Sequence, residues 1–360
     1  MHNILVNGGM LLDELNEGAE VPCHNALGSA TPVASRWYVQ FLAEGASATA
    51  QRVFLRGGSG LSAAAASRIT ITRPAPRVTG LDRLQLFQPV VYDELVGALG
   101  DIWSGDGEAG EAGSLPLAMT FAIMSNIDLD VGCTLNAGDA TRNWTTNRHV
   151  TAGKWQRIEV AIEADSAGPF RCMSGIPIAL YFQIGLSCGP DRLTTVDGEW
   201  NDGHSLMVES ATTSQFMTTP GATVWIADCA LRSRTAPTAP PEPPALARLR
   251  VERYEEKSYW PGVRPGTPGA QDGAYQFRAV GDQTEDRVVF RVQKQEQPKR
   301  AVSKVYSPTT GAADFAYDVV AQCDVPAEIT ETNPGHMIVS LPSTVPGHIY
   351  RYHWRATTMV

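Results

Sequence analysis

Two loops carry the residues best suited to chemistry. The segment VDGEWNDGH (196–204) sets Trp200 among Asp197, Glu199, Asn201 and Asp202. An indole beside carboxylates and amides suits a sugar: the ring stacks on the apolar face of a pyranose while Asp and Asn take its hydroxyls. A Trp that folds back to cap a core has the same signature. The segment DIWSGDGEAGEAGS (101–114) places Asp101, Asp106, Glu108 and Glu111 around Trp103. Hard oxygen ligands on a Gly-rich loop suit Ca²⁺, although the EF-hand spacing is absent and a solvated acidic loop reads the same way. The residues expected to meet a carbohydrate are therefore Trp103, Asp106, Asp197, Trp200, Asn201 and Asp202. Asp101, Asp106, Glu108 and Glu111 are the calcium candidates, and no other cofactor is expected.

Catalytic patterns are missing: the chain holds no GxSxG, no HExxH, no Walker loop and no GxGxxG between a strand and a helix. His2, His24, His149, His204, His336, His348 and His353 lie far apart, and His348 and His353 share an apparent strand in which they face opposite sides. A glycosidase needs two acids at a set separation across one bond, which loop spacing does not establish. The expectation is a protein that is not an enzyme.

Composition narrows the partners. Of 360 residues only 19% are charged, while Gly contributes 33 and Pro 24, which describes a turn-rich globular chain. The net charge of −9 and the lack of a basic run beyond Lys299, Arg300 and Lys304 argue against a nucleic-acid surface. The opening MHNILVNGGM has neither the basic nor the apolar region of a signal peptide, and no stretch approaches the roughly 18 apolar residues of a membrane span. Cys23, Cys133, Cys172, Cys188, Cys229 and Cys323 are scattered without a CxxC and read as free, mostly buried thiols. Arg far outnumbers Lys and Ala is abundant, as in the products of a GC-rich genome.

The elements that must position these loops are strands. Apolar residues alternate at Leu117, Met119, Phe121, Ile123; at Leu129, Val131, Cys133, Leu135; at Ile158, Val160, Ile162; and at Ile178, Leu180, Phe182, Ile184, Leu186. Each run predicts one buried strand face, and the Gly, Asn, Asp and Pro between runs predict turns. The pattern predicts an all-β chain whose N-terminal part, residues 1–232, is a jelly-roll β-sandwich closed by a strand over 222–231. A Pro-rich linker (233–246) follows, then a helix over 245–259 with its turn (247–273 as a segment). A smaller C-terminal β-sandwich domain occupies 274–360, with its last strand inside a sheet. Trp37, Trp144 and Trp155 read as core or sheet-edge residues, and Trp260 as a contact to another subunit or domain.

Several of these segments resemble phage tail-fibre and virion-appendage proteins. The opening NILVNGGM is similar to their N-L-L-I-N-G-G-F start. The series LPLAMTFAIMSN, GKWQRIEVAIEAD, IALYFQIGLSCG and FMTTPGATVWIADCALR resembles their carbohydrate-binding-module-like jelly roll. RLRVERYEEKSYWPGVRPGT is similar to their C-Q-R-Y-Y-E-K-S-Y … G-T helix, and QDGAYQFRAV, DRVVFRVQKQEQPKRAVSKVYSPTTGA and GHIYRYHWRATTMV resemble the β domain after it. The chain departs from the pattern at Glu255, where a second Tyr is common, and around Leu249, where a Cys is common.

The resemblance implies a virion structural protein, a tail-fibre subunit or a head spike such as that of a gene transfer agent, assembled in a bacterial cytoplasm and displayed on the virion surface. It further implies a homo-oligomer, a trimer or a pentamer at a capsid vertex. The partners it implies are other virion proteins and host cell-surface capsule polysaccharide bound for attachment, with no nucleic acid and no membrane insertion. A spike base or adaptor that binds no glycan is the alternative.

Overall fold

The structure is a computed structural model that describes residues 3–55, 61, 63–92, 94–95, 116–165, 178–234 and 242–358. Its contacts divide the chain into two units, Met1–Leu11 with Gly18–Pro243, and Leu12–Glu17 with Pro244–Val360. The division falls inside the proline-dense stretch of the sequence, where each proline lacks the N–H that a sheet requires.

The first unit is a sandwich of two antiparallel sheets, a jelly-roll β-sandwich. One sheet contains β1 (Val21–Pro22), β4 (Ser47–Phe54), β5 (Ala65–Arg73), β15 (Thr223–Ser233), β7 (Leu117–Ser125) and β10 (Gln156–Ile162), in that spatial order. The other runs β13 (Trp200–Asp202), β9 (Arg142–Val150), β8 (Leu129–Ala137), β11 (Ile178–Cys188), β6 (Arg83–Val91), β3 (Trp37–Leu42) and β2 (Thr31–Ala34). The alternating apolar residues of β7, β8, β10 and β11 face inward and merge into one core with Trp37, Phe41, Leu84, Leu86, Val224 and Ile226. Trp37 packs edge-on against Phe182, with ring centroids 5.7 Å apart, and its indole N–H donates to Asn7 O at 2.9 Å. Trp144 is buried and Trp155 half-buried. Cys23, Cys133, Cys188 and Cys229 are buried free thiols and Cys323 is exposed; burial pushes the first three up to about 12, so they stay protonated.

The opening motif is a structural plug of this sandwich. Asn3 Nδ2 donates to Cys229 O at 2.9 Å, and Asn3 Oδ1 accepts from Leu5 N and Leu231 N. The buried Gln88 amide brackets Val6, accepting from its N–H and donating to its carbonyl, both at 2.8 Å. Gly8 is required by proximity, since a Cβ there would stand 2.2 Å from Cys229 O.

Between β11 and β15 the chain crosses the outer face of the seven-stranded sheet as a strap containing β12 (Leu193–Thr194) and β14 (Met207–Val208), which pair in parallel. Two strand glycines let it lie close: a Cβ on Gly132 would meet Leu206 O at 2.2 Å, and one on Gly185 would meet it at 2.9 Å. Leu206, Met207 and Cys188 form a small apolar cluster beneath it. Gly132→Ala is accordingly expected to lift the strap and cost about 1–3 kcal/mol in urea unfolding; an unchanged midpoint would contradict this seating.

The second unit contains helix α2 (Pro244–Glu252); the single-turn helix α1 (Gln215–Thr218) belongs to the first unit. The helix expected over 245–259 stops at Glu252, because Glu255–Lys257 forms strand β16 against β24 (Ile349–Thr357). Leu246 and Leu249, whose spacing suggests a buried stripe, are exposed, and Ala247 and Val251 are the buried positions. The last strand, β24, is the hub of the larger sheet. It pairs with β16, β17 (Tyr275–Arg278), β19 (Lys304–Tyr306) and β20 (Phe315–Asp318), and β21 (Cys323–Pro326) extends β20. A three-stranded sheet of β18 (Glu285–Val289), β23 (His336–Ser340) and β22 (Glu328–Thr332) completes the unit. Phe277, Val288, Phe290, Met337, Val339, Tyr350, Tyr352 and Trp354 share one core.

The RYEEKSY segment is the charged centre of this unit. Glu256 and Lys294 pair with both side chains fully buried; Glu256 Oε1 also accepts from Arg291 N at 3.0 Å, and Lys294 Nζ donates to Glu252 O at 2.7 Å. Lys257 pairs with Glu17 and donates to Val263 O at 3.0 Å. Tyr259 stacks on the buried His353 ring at 3.8 Å. His353 Nε2 donates to Ala270 O, which leaves Nδ1 to accept from Ser258 Oγ, and burial lowers the pKa of the ring. Trp260 is exposed in this chain.

Candidate functional site

Trp103, Asp106, Asp101, Glu108 and Glu111 lie outside the described residues. Among the described residues no group of three His, Cys, Asp or Glu side chains converges as metal ligands would. The VDGEWNDGH residues are described, and the pleat separates them. Trp200 pairs with Trp144 on the core-facing side of edge strand β13, Asp202 pairs with Arg142 at the strand's end with its carboxylate exposed, and Asn201 pairs with Asn143 on the outer side. Trp200 is half-buried against the core, and its indole N–H donates to Glu163 O at 2.8 Å. Asp202 accepts from Arg142 Nη1 at 2.9 Å, and Asp197 from Thr146 Oγ1 at 2.6 Å. Asn143 Nδ2 donates to Asn201 Oδ1 at 3.2 Å.

The outer face of the seven-stranded sheet gathers a second set of residues that sequence spacing does not single out. Tyr38 on β3 is the direct neighbour of Phe87 on β6, with ring centroids 5.6 Å apart, and Tyr181 on β11 lies 6.2 Å beyond Phe87. Phe87 and Tyr181 are half-buried. One step along the strands Gln40 pairs with Gln85, and Gln85 Nε2 donates to Gln40 Oε1 at 2.8 Å. Gln183, opposite Phe87, accepts from Asn136 Nδ2. Arg83 ends the series, donating from Nε to Gln40 Oε1 at 2.8 Å and from Nη1 to Leu81 O at 3.2 Å. Period-two geometry puts Arg83, Gln85 and Phe87 on one face, spread over about 13 Å.

The strap adds Arg192 and His204 beside Arg83. Arg192 Nη1 donates to His204 O at 3.2 Å. Burial, with the charges of Arg192 and Arg83, lowers His204 to about 4, so the imidazole is neutral at pH 7. Burial and the neighbouring Arg192 also lower the pKa of Arg83. The unfolded chain takes up this proton near pH 6.5 while the folded chain resists until about 4, so His204 makes stability fall as pH drops through that window. His204→Gln is expected to flatten the pH 4–6.5 slope of urea stability by up to about 2 kcal/mol relative to the wild type. An identical slope in the variant would contradict the half-buried position of the ring beside the two arginines.

A scan of protein-family models gives no match, and a search of curated proteins gives none. Solved structures do align. The carbohydrate-binding module TmCBM61, determined with β-1,4-galactotriose, is 10% identical and covers 65% of this chain and 100% of its own, with a TM-score of 0.30. The family 11 carbohydrate-binding module of Clostridium thermocellum is 12% identical over 59% of this chain and 95% of its own, TM-score 0.26. The enzymatically active domain of tailspike protein 4 of bacteriophage CBA120 is 10% identical over 64% of this chain but 21% of its own length, TM-score 0.28.

Proposed function

We propose that this chain is a glycan-binding structural subunit of a phage-like particle, a head spike or tail-fibre component that attaches to host surface polysaccharide without cleaving it. The observation that carries the glycan reading is the outer-face row of half-buried Phe87 and Tyr181 beside the partly exposed Gln40, which the buried Gln85 holds in place, with the buried Gln183 beneath. Aromatic faces take the C–H surface of a sugar, and fixed amides in register with them take its hydroxyls. Asn201 extends the polar series at the far edge, and Trp200 holds that edge strand to the sandwich. The particle setting is supported by the resemblance of NILVNGGM and RYEEKSY to appendage proteins, whose residues here plug the sandwich and form the charged centre of the second unit. Such a subunit works as a homo-oligomer beside other virion proteins, since repetition of weak sites supplies avidity. Pull-down of the purified protein on isogenic host cells with and without capsule tests the reading. Binding that disappears with the capsule is the expected result; equal binding to both cells would favour a spike base or adaptor.

A further inference from the structure

We propose that the outer face selects an acidic glycan, with the carboxylate of a uronate-type sugar held between Arg83 and Arg192. The inference rests on the glycan reading above and adds the chemical class of the sugar. Arg83 is buried, and Arg192 Nε is buried with no hydrogen-bond partner. Among the described residues neither guanidinium has a carboxylate oxygen within 4.0 Å; their hydrogen bonds go to Gln40, Leu81 and His204 oxygens. Asp191, next to Arg192, offsets part of its charge without an ion-pair contact, its carboxylate lying against Gly80, where a Cβ would stand 3.4 Å from Oδ2. Arg83 pairs in register with Cys188, whose Sγ donates to Arg192 O at 3.7 Å, so a buried guanidinium and a half-buried one share one corner of the sheet, and like charges so placed favour a bound anion in a chain of net charge −9. A guanidinium fork matches a planar carboxylate with two parallel hydrogen bonds. Gln85 and Phe87 continue from Arg83 along the same strand face, so an anion at the arginines places the rest of a sugar chain over the amides and the rings.

The test is retention of the full chain on immobilised polygalacturonate, alginate and hyaluronan, each beside its carboxyl-reduced form, with a panel of neutral glucans and galactans in parallel. The expected result is retention on at least one acidic polymer, with the reduced form bound at least about tenfold more weakly. Arg192→Gln should lose roughly tenfold affinity for the acidic polymer and leave the reduced form unaffected, whereas Arg83→Gln, which also releases Gln40, should lose at least as much on the acidic polymer, with thermal midpoints confirming the fold. If Arg83→Gln fails to fold, Arg192→Gln on the strap carries the comparison. Binding to neutral polymers alone, or equal binding of acidic and reduced forms, overturns the acidic-sugar inference and leaves the glycan reading standing. Retention on neither panel overturns both.

Discussion

Replacing Lys294 with Ala is expected to destabilise the second unit by about 3–5 kcal/mol, because it strands a buried carboxylate. Lys294 and Glu256 are both fully buried as a pair, and the ammonium also donates to Glu252 O and Val292 O. Burial lowers the pKa of Lys294, while the Glu256 carboxylate opposes that shift. Removing the cation therefore leaves Glu256 with only Arg291 as a charged partner among the described residues. In a Lys294→Met background, Glu256→Gln should recover most of the loss, since it keeps an acceptor for Arg291 N–H and removes the uncompensated charge. Urea unfolding of the three variants checks this; a loss below about 1 kcal/mol in Lys294→Ala would show that the pair is solvated.

The second large effect is on binding. Phe87→Ala with Tyr181→Ala is expected to weaken glycan affinity at least about a hundredfold, as truncation of two central aromatic contacts does at other interfaces. The two rings lie 6.2 Å apart across β6 and β11 and are half-buried on the outer face, away from the core. Stability should change much less than for a core residue such as Trp37, so binding and folding can be separated by a thermal melt. Retained affinity in a folded double variant would move the sugar site elsewhere.

The sandwich is legible in the sequence because burial of one strand face imposes period two: the alternating runs at 117–123, 129–135, 158–162 and 178–186 are β7, β8, β10 and β11. Strand β9 is hidden, since its residues are mostly polar and only Trp144 and Val150 advertise a core face. The helix expected over 245–259 is too long because Glu255–Lys257 gains sheet pairing with a strand about a hundred residues away, which no local pattern reveals. The outer-face site is illegible for the same reason. Tyr38, Phe87, Tyr181, Arg192 and His204 come from three strands and a strap, and only register brings them together. A usable signal is present in the polar partners of the alternation: Gln40, Gln85 and Gln183 stand two residues from Tyr38, Phe87 and Tyr181. Among the loop residues Trp200 looks more available than it is, because an edge strand packs it against the core, whereas Asp202 is as exposed as the sequence suggests.

The most direct measurement is retention of the wild-type protein and the Phe87→Ala, Tyr181→Ala variant on a polysaccharide array, read at two salt concentrations. The wild type is expected to bind at least one polysaccharide and the folded variant none. Equal retention of the two proteins, or a blank array for the wild type, would contradict a sugar site on this face.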